Sequence, residues 1–252
     1  LRVAEKTVGP DHPDVATSLN NLGKLYGVQG QYAQAETLYK RALTIREKAL
    51  GSDHPAVAVC LNGLAELCRI QGQYAQAEPL YKRALAIYEK TLGPDHPYVA
   101  GSLNNLALLY YAQGQYAQAE PLYKRSLAIV EKSPGSEDHL HVAASLNNLA
   151  LLYYAQRQYT QAEPLYQRAL IIKERALGPD NPDVALSLNN LAEVYRAQGL
   201  YAQAEPLYQR ALVIYEKALG PDHPNVGMIL EGMATLYRNT GRKEEAEPLE
   251  KR

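Results

Sequence analysis

The sequence predicts an all-α fold, an α-solenoid of stacked antiparallel helix pairs, on three observations. The segment Ser102 to Tyr111 (SLNNLALLYY) returns with small changes at Ser18 to Tyr26, Ser145 to Tyr154 and Ser187 to Tyr195, and more loosely at Cys60 to Cys68 and Ile229 to Tyr237. A turn block recurs at a spacing of 42 residues, once 43: GPDHP from Gly9, GSDHP from Gly51, GPDHP from Gly93, GSEDHLH from Gly135, GPDNP from Gly178 and GPDHP from Gly220. Between blocks the apolar residues have helical period. Leu103, Leu106, Ala107 and Tyr110 stand at i, i+3, i+4 and i+7, and Ala119, Tyr123 and Leu127 form the facing stripe of a partner helix. One such pair cannot bury both faces, so neighbours must stack, and stability becomes a sum of repeat and interface terms.

Taken in order, residues 1–8 (LRVAEKTV) match the tail of a later unit, such as Leu85 to Leu92, and read as the end of a preceding one. Units follow at about 14–50, 56–92, 98–133, 141–177, 183–219 and 225–252, the last incomplete, as a single array over 1–252. Each holds a helix of about 15 residues, a QGQY-like turn and a second helix of about 18. The Gly closing the second helix suits a left-handed cap, and the Pro beyond it stops the helix. In DHP, Asp is expected to cap the next helix, with Pro in its first turn. Glu36 with Lys40, Glu78 with Lys82 and Glu120 with Lys124 are i,i+4 pairs suited to a solvated face. Pro79, Pro121, Pro164, Pro206 and Pro248 fall early in the second helix. Between the third and fourth units the linker gains a residue, its proline moves to Pro134, and Leu140 replaces the proline that opens the helix. A local change of superhelical twist is expected at 133–141.

Composition bounds the function. With 26 basic against 27 acidic side chains, net −1, bulk charge does not favour nucleic acid or an anionic membrane. No 18-residue apolar run or signal peptide occurs. Cys60 and Cys68, eight apart on one helix, read as small apolar residues in a reducing compartment, so a cytoplasmic location is expected. All 20 aromatic side chains are Tyr, so a hydroxyl must be accommodated at every aromatic site. The six His lie in linkers and are read as structural, and no motif of a nucleotide site, a serine hydrolase or a zinc peptidase occurs. Neither catalysis, a metal nor a cofactor is expected.

The residues Leu103, Leu106, Ala107, Tyr110, Gly114, Tyr116, Ala119, Tyr123 and Ser126 fall where the tetratricopeptide repeat carries its signature; the sibling units supply the last position as Ala42, Ala84, Ala169 and Ala211. With LNNLA and LGPDHP, the long repeat resembles those of kinesin light chains and nephrocystin-like proteins, across essentially the whole chain. The resemblance implies a right-handed solenoid whose first helices line a concave, peptide-binding surface.

Asparagine is what packing does not explain. Asn20, Asn62, Asn104, Asn147 and Asn189 share one position, with Glu231 in the sixth unit; Asn21, Asn105, Asn148 and Asn190 share the next, with Gly63 and Gly232 as exceptions. Asn is a mediocre helix former, so the LNN copies call for a reason. Either the amide bonds an adjacent helix and fixes the stacking angle, or it lines a groove and holds a peptide backbone. By the resemblance, both readings stand for the second Asn, and groove exposure is favoured for the first.

Helical geometry then places Lys24, Glu66, Leu108, Leu151, Glu193 and Thr235 one turn on, and Gly27, Arg69, Tyr111, Tyr154, Arg196 and Arg238 beyond them. A groove with a Leu- and Tyr-lined middle and Arg towards its ends suits a peptide with an aromatic or aliphatic anchor and acidic flanks; Glu66, Glu193 and Glu231 counter the acidic preference. Inheritance of the paired Tyr by recent duplication is the competing reading of the middle units. The function expected is a protein-interaction scaffold. The alternative is a self-associating structural array, stacking end to end, or the sensor part of a larger signalling protein.

Overall fold

The computed structural model describes residues 7–132 and 140–251. Among these, after a helical stub at residues 7 and 8, come twelve α-helices and no strand. They are α1 (Pro13–Val28), α2 (Tyr32–Leu50), α3 (Pro55–Ile70), α4 (Tyr74–Leu92), α5 (Pro97–Ala112), α6 (Tyr116–Glu131), α7 (Leu140–Ala155), α8 (Tyr159–Leu177), α9 (Pro182–Ala197), α10 (Tyr201–Leu219), α11 (Pro224–Asn239) and α12 (Lys243–Glu250). The chain forms two compact units, Leu1–Ile129 and Val130–Arg252. The first stacks the pairs α1/α2 and α3/α4 with α5 and α6 up to Ile129; the second stacks α7/α8, α9/α10 and α11/α12.

The turn block works differently from the expectation that Asp caps the first helices. The N-cap is the next residue: the Nδ1 atoms of His12, His54, His96 and His223 accept from the backbone N–H two residues on, at 3.1–3.2 Å. Asn181 does the same through Oδ1 at 2.9 Å. Proline occupies the first helical position, so the cap must be the residue before it. His141, expected in the linker, lies exposed in the first turn of α7. His139 and residues 133–139 of the expected twist change lie outside the described residues.

The glycines closing the second helices are also a correction. Gly51, Gly93, Gly178 and Gly220 have φ between 85° and 90° but ψ between 155° and 159°, which is not the left-handed helical cap. That region is essentially restricted to glycine, so the residue is required for a different reason.

The turn between paired helices uses Gly30, Gly72, Gly114, Gly199 and Gly241 at φ 71–79°, whereas Arg157 takes this position in the fourth pair at φ 60°. The Gln158 N–H still bonds Tyr153 O at 2.8 Å, as the sibling turns do, so the geometry is imposed on a side chain that disfavours it. Arg157→Gly is expected to stabilise the chain by about 0.5–1 kcal/mol. A urea titration checks this, and an unchanged or lower midpoint would mean that the turn carries no strain.

Burial follows the stripes. Leu103, Leu106, Ala107, Ala119 and Tyr123 are all buried, as are Cys60 and Cys68, which are free thiols. The two exceptions to the second Asn have a steric cause. A Cβ on Gly63 would lie 2.4 Å from Tyr39 Cε1, and one on Gly232 would lie 2.8 Å from Tyr208 Cε1. The ring of the preceding pair fills that place instead.

The hydroxyls of three core tyrosines of the first helices are met by the helices stacked beside them. Tyr110 donates to Glu78 at 3.0 Å, Tyr195 to Glu163 at 3.3 Å and Tyr237 to Glu205 at 3.0 Å, each reaching back to the preceding second helix. Glu78 also keeps its i,i+4 pair with Lys82 at 2.6 Å, so this glutamate belongs to the interface as well as to the solvated face. The Lys82 ammonium and the Tyr110 hydroxyl hold the Glu78 carboxyl below its ordinary value, and Arg242, then Tyr237, do so for Glu205. A carboxylate depressed in the folded state adds stability that is present above its unfolded pKa of about 4.3 and is lost as the pH falls towards the folded value. The urea midpoint is therefore expected to drop below about pH 4.3, and to drop less in Glu78→Gln. Equal acid sensitivity of the two proteins would contradict this.

Candidate functional site

The first helices carry the candidate positions. In the first unit Asn20 (α1), Asn62 (α3) and Asn104 (α5) are half-buried. Asn62 Nδ2 donates to Ser102 Oγ at 3.2 Å and so ties α3 to α5. α3 has Cys60 where α5 has Ser102, and Cys60 Sγ faces the Arg46 guanidinium at 3.4 Å, so Asn20 meets no such hydroxyl. The Oδ1 atoms of Asn20, Asn62 and Asn189 are buried without a protein partner.

In the second unit Asn190 Nδ2 donates to Asn147 Oδ1 at 3.0 Å, joining α9 to α7. Asn189 is only 5% exposed, with Nδ2 4.0 Å from Met228 Sδ, because the neighbouring α11 has Ile229 in place of Ser. Asn105 and Asn148 are half-buried. Several of these amides thus link adjacent first helices, and each lies on or just beneath one helix face.

One turn on, charge is locked within the fold. Arg69 donates Nε and Nη2 to the two oxygens of Glu66 at 2.8 and 2.7 Å, and Tyr81 adds its hydroxyl at 2.8 Å. The α9/α10 pair repeats the triad: Arg196 Nη2 donates to Glu193 at 2.5 Å, and Tyr208 donates to the same carboxylate. Burial would raise the Glu66 carboxyl, but the bonds from Arg69 and Tyr81 outweigh it and hold it below its usual range. Burial first, then the adjacent carboxylates, push the Tyr81 and Tyr208 hydroxyls far up. Arg238 pairs with Glu250 at 3.1 Å, beside a cavity of about 260 Å³ lined by Leu230, Ala234 and Leu249 between α11 and α12.

The middle pairs differ. Leu108 and Leu151 are half-buried, and Tyr111 and Tyr154 lean on Tyr116 and Tyr159, ring centroids 5.6 Å apart in both cases. Tyr154 also donates to Glu193 at 3.4 Å.

Two contributors to this face escape the sequence reading. One is an exposed row a turn before the first Asn, at Thr17, Val59, Gly101, Ala144, Leu186 and Met228, which is apolar at Val59, Leu186 and Met228. Its signal was the unit-to-unit variation already used for the positions further along. The other is the tyrosine hydroxyl of the second helix, which reaches the face at Glu66 and Glu193. Among the described residues no three His, Cys, Asp or Glu side chains are grouped to hold a metal ion, and no helix is long and apolar enough to cross a membrane.

No curated protein matches the chain. Solved structures do: BtubC (BKLC) from P. vanneervenii is 27% identical, with 88% of this chain and 87% of that one covered and a TM-score of 0.74. A putative kinesin light chain from Podosopora anserina with nearly identical repeats is 31% identical, with 82% and 98% covered and a TM-score of 0.69. A Rap protein complexed with Competence and Sporulation Factor shares the fold at 18% identity, with 92% and 71% covered and a TM-score of 0.65. The tetratricopeptide repeat model matches residues 1–48, 25–90, 61–132, 141–212 and 183–252, so the chain belongs to the tetratricopeptide repeat family, in the kinesin-light-chain type.

Proposed function

We propose that the face of the first helices binds an extended segment of a partner protein, as a non-enzymatic scaffold. One observation carries this reading. The packing residues repeat from unit to unit, whereas the face positions change from Glu66 and Arg69 to Leu108 and Tyr111, and from Leu151 and Tyr154 to Glu193 and Arg196. Stacking alone gives no reason for that variation, while recognition of a particular side-chain order does. Membership of a family whose repeats generally mediate protein–protein interactions supports it.

The anchor of the ligand is an aromatic or aliphatic side chain seated against Leu108 and Tyr111 or against Leu151 and Tyr154. Acidic flanks draw little from Arg69, Arg196 and Arg238, because each is already engaged by a carboxylate of this chain. A peptide-array screen on the intact chain, with an Asn104→Ala, Asn147→Ala, Tyr111→Ala variant beside it, tests the reading. Ligands found with the native chain should lose at least about thirtyfold in affinity, the equivalent of one lost hot-spot contact of about 2 kcal/mol. Full affinity in the triple variant would sink it.

A further inference from the structure

The tyrosine of the second helix has an acceptor in some pairs and lacks one in others. Tyr81 delivers its hydroxyl to Glu66, whose side chain is 42% exposed, so the hydroxyl arrives at the face itself. Tyr208 does the same at Glu193, whose side chain is 25% exposed. Tyr123 stands at the equivalent place in α6, with its ring buried at 2% exposure, but α5 carries Leu108 where α3 carries Glu66. Among the described residues its hydroxyl makes no hydrogen bond, and neither does that of Tyr111 beside it. The ring is enclosed while the hydroxyl keeps accessible surface, so its donor is open to an acceptor brought to the face. In the fourth pair Tyr154 already reaches Glu193 and Tyr166 has an interaction of its own. In the first pair Tyr39 lacks an acceptor too, but Lys24 and Gly27 stand where α5 has Leu108 and Tyr111, so the apolar setting is particular to the α5/α6 pair.

We infer that the α5/α6 pair holds an uncharged carbonyl oxygen of the bound segment, from its backbone or from an Asn or Gln side chain, on the hydroxyl of Tyr123. The inference rests on the groove reading above and specifies one contact within it. Charge selects the neutral acceptor. Where the fold itself puts a carboxylate on this hydroxyl it also supplies Arg69 or Arg196, and in α5 both members are replaced together, by Leu108 and Tyr111. Arg69, the cation of the neighbouring pair, spends Nε and Nη2 on Glu66. Arg69 acts on the Tyr123 hydroxyl from the neighbouring pair, but Glu66 already neutralises it. A ligand carboxylate would therefore be desolvated here without an unpaired cation, whereas an amide carbonyl gains the hydroxyl and carries no charge to bury. Leu108 and the tilted Tyr111–Tyr116 rings provide an apolar wall for the amide plane.

The test uses a randomised twelve-residue peptide library selected on the intact chain, with the recovered peptides titrated against Tyr123→Phe and Tyr81→Phe. Tyr123→Phe should weaken binding about three- to tenfold, the value of one neutral hydrogen bond, while leaving the urea midpoint of the free protein unchanged. Tyr81→Phe should lower that midpoint, because its hydroxyl is used inside the fold. Leu108→Glu, which offers Tyr123 an acceptor from within the chain, should weaken the same peptides, and Tyr123→Phe should add no further loss in that background. If peptides bind the native chain and Tyr123→Phe equally well, this inference falls and the groove reading stands. If the Tyr123-dependent peptides require Asp or Glu, the neutral acceptor is wrong. If the library returns no peptide for the native chain, the groove reading falls and takes this inference with it.

Discussion

Tyr81→Ala is expected to lower the unfolding free energy by about 3–5 kcal/mol, the largest single effect predicted for this chain. Tyr81 is fully buried in α4, so truncation leaves a ring-sized void that the stacked helices cannot close without moving relative to one another. The change also withdraws the hydroxyl from Glu66, leaving that half-buried carboxylate to Arg69 alone. Tyr81→Phe separates the two contributions, since it keeps the ring and removes one hydrogen bond to a carboxylate, worth about 1.5–3 kcal/mol. Urea unfolding followed by circular dichroism measures both. A loss in Tyr81→Ala no larger than that in Tyr81→Phe would show that the ring is not a packing element.

Ala107→Leu should destabilise by about 1–3 kcal/mol for the opposite reason. Ala107 has no exposed surface, and its counterparts Ala65, Ala150, Ala192 and Ala234 have none either. At the first of these positions, Gly23, even an added methyl would lie 3.3 Å from the ring of Tyr39. A leucine side chain must therefore displace a ring or push helices apart. Ala112→Leu, at an exposed position of the same helix, is the control and should change little. An unchanged thermal midpoint in Ala107→Leu would refute the assignment of residue 107 to the packed stripe.

Much of the fold was legible because its causes are local and repeated. The 3.6-residue period of Leu103, Leu106, Ala107 and Tyr110 and the Gly and Pro of each turn block define helices wherever they occur. The N-cap was misassigned although its signal was present: Asp is the better capping residue by type, but a proline at the first helical position requires the residue just before it, His12 or His54, to be the cap. The face was read in outline, since helical spacing alone places Asn62, Glu66 and Arg69 together. That Arg69 serves Glu66 was not legible, because i and i+3 neighbours admit both a paired and a ligand-facing rotamer, and the Tyr81 hydroxyl favours the paired one.

The sequence by itself determined the all-α class, the repeat length, the small residues at the helix crossings and the faces that pack, because each depends on period and side-chain size within one unit. Only the tertiary structure decided which polar groups satisfy one another. Asn62 needs Ser102 of the next pair, Tyr110 needs Glu78 of the preceding one, and Gly63 is set by the ring of Tyr39. Each contact joins residues 24 to 40 positions apart in the chain, and hydrogen bonding fails within a few tenths of an ångström, so only the stacking of one pair on the next selects the partner.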